Sequence, residues 1–133
     1  MPDGPKDLNE AYLRGLPDDE PVVMVNLVRF REKSRDGNGS GWDAYSRYSK
    51  ATMPLLRGVG GEVLWAGHVD GLAVGDLGEG RWDWVVVVKY PSRANFLEMM
   101  TSEAYAEANV ERENGTEDHV LLASREVFSA LAS

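Results

Sequence analysis

The chain has 133 residues, of which 43% are apolar and 27% are charged, and its formal net charge is −8. This length fits one domain, and this composition is typical of a folded globular protein. The acidic balance argues against nucleic acid and anionic membrane surfaces as partners, because both present negative charge.

Residues 1–20 form an N-terminal arm in which Leu8, Tyr12 and Leu16 recur at intervals of four. This spacing predicts one apolar stripe on a short helix. The arm lacks the apolar stretch of a signal peptide, and the longest unbroken apolar run, residues 84–88, is too short to span a bilayer. We therefore expect a cytoplasmic protein that does not enter a membrane.

Residues 21–30, PVVMVNLVRF, predict the first strand. The strand is apolar on both faces except at Asn26, which indicates a central position in a sheet. The polar, glycine-rich residues 31–41 that follow predict a loop. A plain solvated loop is favoured over a lid that closes a site.

A helix is predicted over residues 42–57, ended by the glycines at 58, 60 and 61. Pro54 removes one backbone donor and is expected to kink the helix or to restart its last turn. The predicted buried stripe comprises Trp42, Tyr45, Ser49 or Tyr48, Met53 and Leu56.

The second strand is predicted over residues 62–69, with Val63, Trp65 and Gly67 on one face. Asp70-Gly71 is typical of a hairpin, but a bulge within one strand that continues to Val74 is favoured. The third strand is predicted over residues 82–90, apolar on both faces.

Two further helices and a strand complete the pattern. Ser92 is predicted to cap a helix that carries Phe96, Leu97 and Met100. Thr101 or Ser102 caps the next helix, which carries Tyr105 and ends at Asn114-Gly115. The fourth strand is predicted over residues 119–124.

The order β-α-β-β-α-β predicts an α+β, ferredoxin-like fold with a four-stranded antiparallel sheet. Within a single domain, residues 1–20 are the arm, 21–125 the core and 126–133 a short tail. Right-handed crossovers place both main helices on one sheet face, which leaves the other face apolar and uncovered. We therefore expect a homodimer in which two sheets pack face to face into an α/β barrel.

The segments PVVMVNLVRFR, Tyr45-x-x-Tyr48, GGEVLWAG and YPSRANFLEMM, followed by Tyr105 and Arg112, resemble the DUF1330 family of dimeric α/β barrel proteins. The resemblance covers roughly residues 15–125. It implies a ferredoxin-like protomer and a barrel-forming dimer, and it implies no reaction. The wider superfamily includes cofactor-independent monooxygenases, isomerases, haem enzymes and ligand binders, so the fold alone does not select a function.

Asn26 is the most informative polar residue, because a buried amide is costly unless it is hydrogen-bonded. It is expected to bond a neighbour, water or a ligand, or else to face the dimer interface. Tyrosine hydroxyls on the helices are natural co-ligands. The candidate ligand-binding residues for a small polar or carboxylate ligand are Asn26, Arg29, Tyr45, Tyr48, His68, Tyr105 and Arg112.

No metal site, cofactor or catalytic residue is predicted. The chain has no cysteine and only two histidines, whereas metal sites usually need three or four ligands. His68 with Asp70, and residues 117–119 (Glu-Asp-His), are incomplete clusters. Two functions remain: a cofactor-independent enzyme of the monooxygenase or isomerase kind, or a non-catalytic module that binds a small ligand. A displaced pKa inside a pocket would favour the enzyme.

Overall fold

A computed structural model describes residues 4–15, 20–78 and 80–131. The predicted α+β, ferredoxin-like plan is confirmed. Its elements, in chain order, are α1 (Glu10–Arg14), β1 (Val22–Phe30), α2 (Gly41–Gly58), β2 (Glu62–His68), β3 (Trp84–Tyr90), α3 (Arg93–Met100), α4 (Glu103–Gly115) and β4 (Thr116–Ser124). In these ranges no helix is long and apolar enough to cross a membrane.

The sheet is antiparallel, with the strand order β2-β3-β1-β4. β1 lies between β3 and β4, as its apolar pattern predicts, and Asn26 is paired with Val86 and Leu121. Side chains alternate between the two faces of a strand. Asn26 and its partners Val86 and Leu121 therefore lie on the same face of the sheet, which is the face covered by the helices.

The hydrophobic core lies between that face and the helices. Burying these side chains is the main favourable term in folding. Its fully or nearly buried members include Val22, Met24, Leu56, Val88, Tyr90, Phe96, Leu97 and Tyr105.

The opposite face of the sheet is mostly apolar, with Arg29 and Lys89 toward its ends, and has no helix over it among the described residues. Val25 of β1 is flanked there by Val87 of β3 and Leu122 of β4. Trp65 and Leu122 are 49% and 52% exposed. We call this surface the open face; its members are Val23, Val25, Leu27, Trp65, Val85, Val87, Val120 and Leu122.

The helix boundaries follow the predicted caps. The Ser92 hydroxyl accepts a hydrogen bond from the Asn95 amide, and Ser102 does the same for Tyr105. α2 begins with a capping box formed by Ser40 and Asp43. The helix continues through Pro54, so the proline does not end it.

β2 differs from its prediction in two ways. It ends at His68 instead of continuing to Val74: the Val69 amide donates to the Asp83 carbonyl oxygen, and residues 70–78 and 80–82 belong to no strand. A bulge also lies between Val63 and Trp65, which places Val63 on the core face and Trp65 on the open face. The prediction that these two side chains share a face is therefore wrong.

Three smaller predictions also need correction. Trp42, placed in the buried stripe of α2, is 39% exposed. α1 begins only at Glu10, so Leu13 is its buried residue and Tyr12 is exposed; Leu16 lies outside the described residues. β4 begins at Thr116, three residues earlier than predicted, because it pairs with the end of β1 at Phe30.

The start of α2 and the end of α4 pack closely together at Gly41 and Gly115, where the absence of side chains leaves room for the two backbones. A Cβ on Gly41 would lie 2.6 Å from the Gly115 carbonyl oxygen and 2.7 Å from the Arg31 amide nitrogen. Because these are backbone atoms, we expect Gly41→Ala to lower the free energy of unfolding by about 3 kcal/mol. Gly58→Ala is the control, since no atom lies within 4 Å of its Cβ position. Equal urea midpoints for the two variants would contradict this close approach.

Candidate functional site

A cavity of about 230 Å³ lies between the core face of the sheet and the helices. Most of its wall is apolar, from side chains such as Leu56, Val86 and Met99. Its polar lining includes Asn26 from β1, Tyr45 and Tyr48 from α2, and Tyr105 and Arg112 from α4. We call it the helix–sheet cavity.

Asn26 reaches this cavity from the middle of β1, and its amide is fully hydrogen-bonded. Its Nδ2 donates to the Val86 carbonyl oxygen at 3.1 Å, and its Oδ1 lies 3.0 Å from Nε2 of His119. The side chain is only 8% exposed. The alternative that Asn26 faces a dimer interface through the open side of the sheet is therefore wrong.

His119 connects Asn26 to Arg112. Arg112 Nη1 lies 3.2 Å from His119 Nδ1, and an arginine can only donate. Nδ1 must therefore accept, which assigns the proton to Nε2, where it is donated to Asn26. Burial and the positive charge of Arg112 lower the pKa of His119 to about 3, so the imidazole is neutral at ordinary pH.

Arg112 is buried beneath the N-terminal arm. Its Nη2 donates to Asp7 Oδ1 at 3.1 Å, and its Nε donates to Asn109 Oδ1 at 2.6 Å. Burial raises the pKa of Asp7, but the charge and hydrogen bond of Arg112 outweigh burial and the pKa is lowered. A charge-compensated chain therefore runs from Asp7 through Arg112 and His119 to Asn26.

The tyrosine hydroxyls form the second polar feature of the cavity. The Tyr48 and Tyr105 oxygens are 2.7 Å apart, so one hydroxyl donates to the other. Burial raises the pKa of Tyr45, Tyr48 and Tyr105 above the ordinary value for tyrosine. The phenols therefore keep their protons, and one of the paired hydroxyls retains a proton that it can donate to another oxygen.

Five of the seven residues predicted as ligand contacts line this one cavity: Asn26, Tyr45, Tyr48, Tyr105 and Arg112. The other two do not. Arg29 lies on the opposite face, where its Nε is 3.6 Å from a Glu117 carboxylate oxygen. His68 lies at the end of β2 between Trp42 and Trp84, with ring centroids 5.2 and 4.8 Å away.

Sequence reasoning missed two members of the hydrogen-bonded chain. The sequence pattern indicated His119 only as part of an incomplete metal cluster, although its position in a strand paired with β1 is a signal that it lies near Asn26. Asp7 gave no signal, because only the folded arm brings it to Arg112. Within residues 4–15, 20–78 and 80–131, no group of three His, Asp or Glu side chains is placed to hold a metal ion.

The comparisons with known proteins agree on the fold. The model of the family "Domain of unknown function (DUF1330)" matches residues 41–125. The RPA0582 protein of unknown function from Rhodopseudomonas palustris is 30% identical and has a TM-score of 0.83; the match covers 97% of this chain and 100% of that one. No curated protein sequence matches.

Two more distant structures share the fold. The hydroxynitrile lyase from Passiflora edulis is 20% identical over 84% of this chain and 99% of its own, with a TM-score of 0.59. A dimeric ferredoxin-like protein of unknown function from Bacteroides fragilis is 9% identical over 80% and 96%, with a TM-score of 0.55. The family match and the RPA0582 relative establish that the chain belongs to the DUF1330 family.

Proposed function

We propose that the chain is a homodimer in which each protomer binds one small molecule in the helix–sheet cavity. The observation that carries this proposal is the combination of an apolar wall with the paired hydroxyls of Tyr48 and Tyr105 in the lining of one cavity. Ligand sites in proteins have this character: they are mostly apolar, with a few polar groups that orient the ligand.

The volume and the donors describe the ligand. An apolar cavity of ~150 Å³ accommodates benzene, so about 230 Å³ suits a molecule of about ten non-hydrogen atoms. The tyrosines offer protons, which calls for an oxygen acceptor. Arg112 is already compensated by Asp7, so a neutral hydroxyl or carbonyl oxygen suits this end better than a carboxylate.

The open face supports the homodimer. A contiguous apolar surface on a soluble protein usually marks an interaction site. The Bacteroides fragilis protein, which shares the fold, is described as dimeric. Packing two open faces together would bury Val25, Val87 and Leu122 of both copies without covering the cavity, which lies on the other side of each sheet.

Catalysis is the second candidate function, and one observation favours it. The three tyrosines that line the cavity have raised pKa values, and His119, whose pKa is lowered, contacts the cavity through Asn26; acid–base groups of active sites often have such displaced pKa values. Proton donors held near a substrate oxygen can stabilise negative charge that develops there. The hydroxynitrile lyase shows that an enzyme can occur on this fold.

Ligand binding is tested with 2-naphthol and naphthalene by equilibrium dialysis. We expect both to bind, and 2-naphthol more tightly, because only its oxygen can bond the tyrosine pair. Tyr105→Phe removes one hydroxyl and keeps the ring, so it should weaken 2-naphthol about fivefold and leave naphthalene unchanged. Tyr12→Phe is the control, since Tyr12 is 60% exposed on the arm.

Failure of both compounds to bind the wild-type protein would overturn the proposal. Equal losses of the two compounds in Tyr105→Phe would mean that the hydroxyl does not contact the ligand. Catalysis would require in addition that the wild-type protein consumes a bound carbonyl compound, and that Tyr105→Phe lowers kcat more than it changes KM.

A further inference from the structure

A second depression, of about 470 Å³, lies along the outer side of α2. It shares four lining residues with the helix–sheet cavity: Tyr45, Ser49, Met53 and Trp84. The two spaces are therefore neighbours along this side of α2. We call the second depression the α2 groove.

The α2 groove combines an aromatic wall with a basic rim. Trp42 and Trp84 stand edge to face with ring centroids 5.1 Å apart. Lys50 and Arg57, two helical turns apart on α2, lie on the rim. Aromatic side chains and a nearby cation suit a flat, anionic molecule.

The two rim cations differ from a third on the same helix. Arg47, on the α4 side of α2, is paired with Glu111 and Asp36. Across the described part of the chain, neither Lys50 nor Arg57 has an ion pair or a side-chain hydrogen bond. In a protein of net charge −8, two unpaired cations beside an apolar groove form a local positive site.

We propose that the α2 groove is an acid-binding subsite of the helix–sheet cavity, and that the ligand is an aromatic acid with a neutral oxygen at its far end. This inference rests on the proposed function. The neutral oxygen lies at Tyr48 and Tyr105, the ring system passes between α2 and the sheet, and the carboxylate lies in the groove near Lys50 and Arg57.

The position of the groove directly beside the helix–sheet cavity favours a small molecule over a protein partner. A protein segment on the surface would leave the helix–sheet cavity empty, whereas an elongated acid fills both spaces. The cations of the two spaces also differ. Arg112, at the inner end, is compensated by Asp7, whereas Lys50 and Arg57 at the rim have no ion-pair partner among the described residues. The acid group therefore belongs at the rim and the neutral oxygen at the inner end.

The test compares 6-hydroxy-2-naphthoic acid with 6-hydroxy-2-naphthamide, which has the same shape without the charge. At low salt we expect the acid to bind about fivefold more tightly than the amide. The double variant Lys50→Gln/Arg57→Gln should remove this preference while keeping amide affinity. About 1 M salt should also reduce it in the wild-type protein, because exposed charges are then screened.

The control variant, Arg14→Gln/Lys33→Gln, removes two positive charges elsewhere on the surface and should keep the fivefold preference. Equal affinities of acid and amide in the wild-type protein, with 2-naphthol still bound, would overturn this inference and leave the cavity proposal standing. So would an equal loss of preference in both double variants. If none of the compounds binds, the proposed function and this inference fail together.

Discussion

Replacing Val87 by glutamate is expected to convert the proposed dimer into a 14.7 kDa monomer that remains folded. Val87 lies in the middle of the open face, between Val25 of β1 and Trp65 of β2. In a face-to-face dimer the carboxylate of each copy would be buried without a partner. An unpaired buried charge costs several kcal/mol, so the dimer should weaken by at least ~100-fold.

Light scattering at about micromolar concentration measures this change directly. Val110→Glu is the matched control, because Val110 is 56% exposed on α4, away from the sheet. The control should keep the mass of the dimer. A wild-type protein that scatters as a monomer, or a Val87→Glu variant that stays dimeric, would show that the open face is not the interface.

The second expected result is a loss of stability as the pH falls from about 6.5 to 4.5, caused by His119. The folded-state pKa of about 3 is below the unfolded value of 6.5. As the pH falls below 6.5, His119 therefore becomes protonated in the unfolded chain, whereas it stays neutral in the folded protein. The contribution of neutral His119 to the free energy of unfolding is fully present above pH 6.5. It decreases as the pH falls, until the folded imidazole titrates near pH 3.

Each pH unit in that window corresponds to about 1.4 kcal/mol for a fully displaced group. Because the ring of His119 keeps some solvent exposure, we expect a loss of about 2 kcal/mol between pH 6.5 and 4.5. The carboxylates with lowered pKa, Asp7 among them, contribute only near and below their ordinary pKa of 3.8 to 4.5.

Urea unfolding at a fixed protein concentration, repeated across this pH range, measures the loss. His119→Gln should remove the dependence between pH 6.5 and 4.5, whatever its effect on absolute stability. His68→Gln should keep it, because His68 lies exposed at the end of β2. A wild-type protein whose stability is flat across this window would contradict a buried neutral His119.

The alternation of strand and helix patterns was sufficient to predict the fold. The runs 22–28 and 84–88 are apolar on both faces, which marks central strands, and Ser92 and Ser102 mark the starts of two helices. The errors concern features that depend on strand pairing and leave no mark in the local sequence. The bulge at residues 63–65 depends on pairing with β3, and the sequence Val-Leu-Trp does not by itself indicate which side chain changes face.

The candidate site was partly visible in the sequence for one physical reason: a polar residue inside an apolar strand needs a partner. This argument led to Asn26, and helical spacing added the tyrosines. Asp7 and Lys50 could not be identified as site residues in the same way, because charged residues in polar segments are common on any protein surface. Only the tertiary structure distinguishes Asp7, which bonds Arg112, from the other acidic residues of the chain.

A crystal structure of the protein with 2-naphthol bound tests the central claim most directly. We predict a ring inside the helix–sheet cavity, with its oxygen at hydrogen-bond distance, about 2.8 Å, from the hydroxyl of Tyr48 or Tyr105. The chain from Asp7 through Arg112 and His119 to Asn26 should remain intact. A closed cavity filled by its own side chains, or a ring bound only to the open face, would contradict the account.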